Sequence, residues 1–393
     1  MPRVVLLLSL CQALLVSGNI LLIAVSPLIG SQLAPSPMWS TAPVATQWLG
    51  LMCATIPASL IMGRLGRRLG FMLGNVLGLC GACLAMVALQ TQQFALFLAS
   101  TWLIGIGIGF GQLYRFAAVE AAPDGKRDRA IGLVMGGGVL AAFFGPWLAR
   151  NSQTLADTPY LGSFFGLSLL YLLALILLKW VHIAPAAPHH NATSSKRSLY
   201  KIMRQPSFIL AATSAMVGYG VMNLAMTATP IAMASSGHHF NQVATTIQWH
   251  VVAMFLPSFV TGRLTARFGP VFMIITGCLL LAASVAVAQL QISYAHFVIG
   301  LILLGLGWNF TFLPATGLLT ETHEPSEKAH TQAANEFLVF STVAITALAA
   351  GPLVNAVGWS ALNAALLPLC LLPPLTLTWR KLSLRRQHAQ RDV

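Results

Sequence analysis

The chain has 393 residues, of which 22 are Lys or Arg and 9 are Asp or Glu, while 56% are hydrophobic and the mean hydropathy is +0.76. A soluble globular protein carries roughly 25% charged residues; at 8%, this chain cannot cover a water-facing surface, which excludes a cytosolic enzyme, a secreted domain and a disordered regulator. Allowing about 33 residues for each bilayer crossing and its loop gives about twelve spans.

The first apolar run, Val4 to about Gly30, is too long for the h-region of a signal peptide and is predicted to be a retained first span. No Asp, Glu, Lys or Arg occurs between Arg3 and Arg64, Arg68 and Arg115, Arg204 and Arg263, Arg267 and Glu321, or Glu336 and Arg380. Each gap is 43 to 60 residues long, room for two crossings of about 20 residues. Pro, Ser, Gly and Gln clusters at Gly30 to Pro43, Gln90 to Gln93 and Ser235 to Gln242 mark hairpins inside the gaps. Two further spans, about Ala130 to Trp147 and Tyr160 to Trp180, complete twelve.

Between the hairpins the cations fall on the same face as Arg3: Arg64, Arg67, Arg68, Lys126, Arg127, Arg129, Lys179, the Lys196 to Arg204 group, Arg263, Arg267, Lys328 and the tail from Arg380. By the positive-inside rule that face is cytoplasmic, with both termini inside. The expected location is a bacterial inner membrane. Arg150 alone falls on the other face, and Arg115 falls within a span. The net charge of +13 follows from topology and attraction to anionic lipid, so no nucleic-acid partner is needed. The six cysteines all sit in apolar spans, and the Cys80/Cys83 pair lacks the second pair that a metal site requires.

The chain repeats itself at half its length. Gly63-Arg64-Leu65-Gly66-Arg67-Arg68-Leu69-Gly70 follows the second span, and Gly262-Arg263-Leu264-Thr265-Ala266-Arg267-Phe268-Gly269 follows the eighth. Both read GRLxxRxG, 199 residues apart. Gly107-Ile108-Gly109-Phe110 is likewise matched by Gly305-Leu306-Gly307-Trp308, and Gly145-Pro146 by Gly351-Pro352. Two six-span halves of one orientation follow, as in parallel repeats. The predicted divisions are a first bundle at 1–181, a cytoplasmic linker at 182–205, a second bundle at 206–380 and a tail at 381–393.

With its twelve spans, central linker and doubled loop signature, the whole chain resembles the major facilitator superfamily. The resemblance implies an all-α integral membrane fold of two pseudo-symmetric six-helix bundles and secondary transport by alternating access. Gly145-Pro146 resembles the glycine-proline signature of the family's drug and metabolite antiporters, although Ala141 and Ala149-Arg150 stand where glycines are usual. Arg67 and Ala266 hold places where the family's loop usually has an acidic residue. Glycine suits the tight backbone of such a loop, and arginines hold it at the headgroups.

An ionisable side chain at membrane depth costs several kcal/mol unless it faces a cavity or a partner. Arg115 lies about 13 Å from the cytoplasmic loop if its helix continues, and Gln112 shares its face. Glu336 lies at a similar depth in the eleventh span, in the opposite half. The two are expected to pair across the cleft as a gate, against the alternative that each is satisfied within its own half. In the family the first, fourth, seventh and tenth spans line the path. Here they carry Gln12 and Asn19, Gln112 and Arg115, Tyr219 and Asn223, and Trp308, Asn309 and Thr311. These are the candidate substrate-binding residues; interhelical hydrogen bonding is the competing role.

A neutral, aromatic lining with one cation points to a planar or amphiphilic organic solute and argues against a dication, which needs several carboxylates. His250 and Glu336 are candidates for coupling to protons, with sodium as the other possible ion. His189-His190 and His238-His239 read as solvated loop residues without a third ligand. Gly105, Gly107, Gly109 and Gly111 read as close-packing positions, and Gly136-Gly137-Gly138 lacks the lysine of a phosphate loop. Neither an enzyme's nucleophile and base nor a nucleotide-binding motif is present, so no cofactor is expected. The ranking is secondary transport by a monomer, as proton-coupled efflux of an amphiphilic drug or metabolite, then as nutrient or siderophore-like uptake, and distantly a channel.

Overall fold

The structure is a computed structural model and describes residues 2–123, 127–153, 155–183, 197–324 and 327–378. The pair His189-His190 and the tail beyond 378 lie outside the described residues. The described chain is helical, in order α1 (Arg3–Leu33), α2 (Ala42–Leu65), α3 (Arg67–Gln90), α4 (Phe94–Gly111), α5 (Tyr114–Glu120), α6 (Arg127–Ser152) and α7 (Leu161–Leu178) in the first half. A short α8 (Leu199–Met203) precedes the second half: α9 (Pro206–Ser235), α10 (Phe240–Phe255), α11 (Ser258–Phe268), α12 (Pro270–Leu290), α13 (Tyr294–Thr320), α14 (Lys328–Ala364) and α15 (Leu367–Cys370).

Twelve crossings emerge once broken helices are joined and one long helix is divided. α4 and α5 form the fourth span. α10 and α11 form the eighth, bent by 42° at Leu256-Pro257, where proline withholds the backbone N–H that a straight helix needs. The apolar stretch His330–Thr378 contains two crossings, because Gly358 within α14 adopts φ 77° and ψ 175° and reverses the chain. An L side chain is strained at such an angle.

α1 packs on α6, α2 on α4, and α3 on α4 and α7; in the second half α12 packs on α13, and α9 on α13 and α14. The halves meet along α2–α14 and α6–α10, with α1 against α9. Around this core large apolar side chains face outward, among them Ile56, Leu60, Leu140, Leu279 and Ile345. Such a surface would aggregate in water and is solvated by hydrocarbon, so the protein is a multi-pass membrane protein. Cys53, Cys80 and Cys83 lie on that outward surface, whereas Cys11, Cys278 and Cys370 are buried.

Three sequence expectations change. The fourth span does not continue as one helix: Gln112 and Leu113 form a turn, with the Leu113 N–H reaching back to Phe110 O at 3.2 Å. The glycine-rich segment before it has low helix propensity and serves close approach instead: a methyl group on Gly105 would collide with the Gln47 backbone of α2, and one on Gly107 with Gly74 O of α3. The two loop signatures are not in equivalent places. The left-handed turn falls at Gly66, the fourth residue of the first signature, but at Gly269, the last residue of the second. The fifth span runs farther at both ends than expected, through Arg127–Ser152.

Candidate functional site

The face that carries the amino terminus is called near, the opposite face far. Arg115, in α5, and Glu336, in α14, meet between the halves with Nη2 3.4 Å from Oε1, and the guanidinium also lies over the Phe116 ring at 4.8 Å. Their side chains are 39% and 36% exposed, so the pair is half-buried. A half-exposed pair of this kind contributes roughly 0–1 kcal/mol. Gln112 is half-buried in the turn beside it.

Four residues beyond Glu336, on the same face of α14, Phe340 stacks on Trp48 of α2 with centroids 6.0 Å apart and planes at 24°. Tyr219 of α9 stands at the centre of a cluster, edge-on to Trp48 (6.0 Å), Trp308 (5.4 Å) and Phe312 (5.2 Å). Phe312 stacks on Trp308 with planes at 15°, and Phe255 meets Trp308 edge-on. Edge-to-face and offset-stacked pairs add about 0.5–1.5 kcal/mol each beyond burial. The indole Nε1 atoms of Trp48 and Trp308 and the Oε1 of Gln47 are buried without a hydrogen-bond partner. Of these residues only Tyr219 and Trp308 were singled out from sequence; Gln47, Trp48, Phe255, Phe312 and Phe340 were missed. The available signal was a tryptophan flanked by glutamine inside an uncharged span.

The amides are mostly committed to neighbouring helices. Asn309 is fully buried, donates to Met254 O and Ser258 Oγ at 2.7 Å, and accepts from Thr261 Oγ1 at 2.6 Å. These acceptors flank the Leu256-Pro257 break, so Asn309 repairs the backbone that the break leaves open. Asn223 donates to Val343 O and Thr346 Oγ1, and Asn19 accepts from Gln47 Nε2 at 2.6 Å. Thr311 bonds back to its own helix. Gln12 is half-buried on α1. His250 is fully buried, its Nδ1 2.7 Å from Leu301 O, which places it in the packing of α10 on α13 rather than between the halves.

On the near face, Arg67 forms a forked pair with Glu120 (2.5 and 3.0 Å), tying the first signature loop to the end of α5. Arg64 lies in the last turn of α2, and Arg68 reaches His182 at 3.4 Å. Arg263 lies in α11, and Arg267 lies over Phe268. Gly63 and Gly262 face open space, whereas a side chain on Gly70 would meet Met62. Arg197 wraps Glu327, with its Nη2 2.6 Å from Oε2 and its backbone N–H on Oε1. The Arg197 guanidinium, then the Glu324 amide, hold the Glu327 carboxyl down at about 2, from a usual 4.5.

The far face is closed by more bonds. Gly351 N–H donates to Thr41 Oγ1 at 2.9 Å, and Asn355 donates to Pro37 O at 3.1 Å. Arg150 of α6 donates to Gln248 Oε1 of α10 at 3.1 Å. Among the described residues, Arg115–Glu336 is the one side-chain ion pair that crosses between the halves.

Two matched bundles of apolar crossings, meeting over a buried aromatic centre with a bonded far face and an ion pair between the halves nearer the other face, define a membrane transporter. The family model of the Major Facilitator Superfamily matches residues 7–241 and 210–392, and the chain belongs to that family. The riboflavin transporter RfnT of Brucella anthropi is 38% identical over 369 residues, 93% of each chain. The uncharacterized MFS-type transporter YddS of Bacillus subtilis is 27% identical over 92% of this chain and 87% of its own. Among solved structures, the xylose transporter XylE from E. coli superposes with a TM-score of 0.71 at 12% identity, covering 95% of this chain and 96% of that one. The human organic anion transporter MFSD10 gives 0.66 at 16%, covering 96% and 100%. At such identities the last two speak for the fold alone.

Proposed function

We propose that this protein imports riboflavin, or a closely similar flavin, across a bacterial inner membrane by alternating access. The near face is then cytoplasmic, the rocking units are residues 1–181 and 206–380, and 182–205 links them. The observation that carries the reading is the Tyr219 aromatic centre between the halves: a flat, uncharged ring system is what such a lining binds, and a relative with nearly full coverage is a riboflavin transporter. Arg115 and Glu336 form the cytoplasmic gate, and Glu336, freed when the gate parts, takes the coupling proton.

This reading reverses the direction favoured by Gly145-Pro146. The structure gives that dipeptide a packing reason independent of direction, since a side chain on Gly145 would press on Ser17 O and Ile20 of α1. The test is expression in a riboflavin-auxotrophic bacterium that lacks its own importer. Growth on micromolar riboflavin and saturable uptake of labelled riboflavin, lost on adding a protonophore, are expected. Export from preloaded cells without uptake would restore the efflux reading, and no flux in either direction would remove riboflavin as the solute.

A further inference from the structure

We propose that the indole N–H groups of Trp48 and Trp308 are the specificity determinants of the central site, each donating to one ring carbonyl of the solute so that a bound solute bridges the two bundles. The proposal rests on the flavin reading above and names which atoms of the solute are read.

Three observations support it. Trp48 is 6% exposed and Trp308 4% exposed, yet neither Nε1 has a partner. A buried donor left unpaired is costly and rare, and is expected where a ligand supplies the acceptor. The two indoles come from opposite halves, α2 and α13, and both stand edge-on to the same Tyr219 ring, at interplanar angles of 84° and 88°. Each is also braced from one face, Trp48 by Phe340 and Trp308 by Phe312, which fixes its orientation before any solute arrives.

The chemistry demanded of the solute is therefore narrow: a planar ring, no net charge, and two carbonyl acceptors. The pyrimidinedione edge of an isoalloxazine has two carbonyls flanking an N–H. The aromatic cluster contains no charged side chain, and the ion pair beside it is already neutralised by its own partner. While the Arg115–Glu336 pair is closed, a phosphate ester of the same flavin thus finds no counter-charge there and is disfavoured. Gln47, whose Nε2 is held by Asn19 on α1, keeps a buried free acceptor for a donor on the solute. Adjacent helix residues do not share a face, so this acceptor serves a different part of the solute from the Trp48 indole.

The experiment uses the full-length transporter in proteoliposomes with three probes: riboflavin and its 2-thio and 4-thio analogues, in which a thione, a poor acceptor, replaces one carbonyl. Trp48→Phe and Trp308→Phe keep the ring and remove only the donor. Each variant is expected to raise the KM for riboflavin roughly 3- to 10-fold, the worth of one hydrogen bond. Wild type should discriminate against both thio analogues, and each variant should lose discrimination against one of them. A wild-type melting temperature and a monodisperse size-exclusion profile report that the variants are folded. Wild-type KM in both variants, or thione discrimination that survives both, would overturn the assignment while leaving the flavin reading intact. Absence of riboflavin flux in wild type would instead overturn the flavin reading itself.

Discussion

The far-face contact between the α1–α2 turn and α14 is predicted to set the balance between inward- and outward-facing states. Gly351 lets that turn approach: an added methyl would lie 2.7 Å from Ser40 Oγ and 2.8 Å from Thr41 Oγ1, closer than real side-chain contacts, while Gly351 N–H bonds Thr41 Oγ1 at 2.9 Å. The Gly351→Ala/Thr41→Val double variant removes that bond outright and pushes the turn away from Asn355, which donates to Pro37 O. At about 1 kcal/mol for each hydrogen bond, with a similar amount for the displaced contact, the closed far face loses about 2–3 kcal/mol. The ratio of far-closed to far-open molecules should fall roughly 30- to 150-fold. The assay is pulsed electron-spin distance measurement between labels on Met38→Cys and Val357→Cys, both exposed at the far face, in a background lacking the native cysteines. A longer far-face distance is expected to dominate in the variant. If the folded variant keeps the parent distribution, the turn is not a latch, and the Arg150–Gln248 contact must hold the face alone.

Glu336→Gln should abolish proton-driven accumulation while leaving solute exchange, because its half-exposed pair contributes only about 1 kcal/mol to closure; counterflow and gradient-driven uptake, measured side by side, separate the two. Either single reversal, Arg115→Glu or Glu336→Arg, sets like charges together and should slow exchange, the double reversal should recover it, and failure of both tests would remove the gate. Glu327 has a depressed carboxyl pKa, so its clasp on Arg197 is fully present above 4.5 and is lost as pH falls toward about 2. The melting-temperature difference between wild type and Glu327→Gln should therefore be constant from pH 8 to pH 5 and shrink below that. Asn309→Leu should cost about 1–2 kcal/mol by leaving Met254 O only the long 3.4 Å bond from Ser258 Oγ beside Pro257, with a lower melting temperature and an unchanged KM; a changed KM would return Asn309 to the solute path.

Charge made part of this architecture readable. With only nine acidic residues in the chain, the position of each restricts its partners, and counting residues from the near-face loops set Arg115 and Glu336 at matching depth; the structure sets them 3.4 Å apart. The aromatic centre was not readable in the same way. Trp48 and Trp102 are both tryptophans within uncharged spans, yet one is 6% exposed and the other 41%. Which face of an apolar helix points inward depends on its neighbours, and a uniformly hydrophobic span carries no periodicity to say so. The asparagines were ambiguous for a related reason. An amide in hydrocarbon must be satisfied, but a solute and a broken backbone satisfy it equally well, and only the position of Met254 O against α13 distinguishes them. The signatures' offset follows from their composition: each contains more than one glycine, and sequence matching cannot tell which of them takes the left-handed turn.

The distribution of bonds between the two faces constrains how a solute drives the cycle. Among the described residues, the far face is held by neutral and charge-assisted hydrogen bonds from both bundles, and one half-exposed ion pair crosses between the halves nearer the other face. A ligand shifts such an equilibrium only through interactions that differ between the states. Contacts confined to one bundle move with that bundle and supply no difference. A solute bonded to Trp48 in one bundle and Trp308 in the other resists any motion that separates them, and its stabilisation is therefore greatest in the occluded state. Two such bonds, at about 1 kcal/mol each, are comparable to the two hydrogen bonds that latch the α1–α2 turn to α14. On the proposed reading, binding energy of that size offsets the cost of opening that latch.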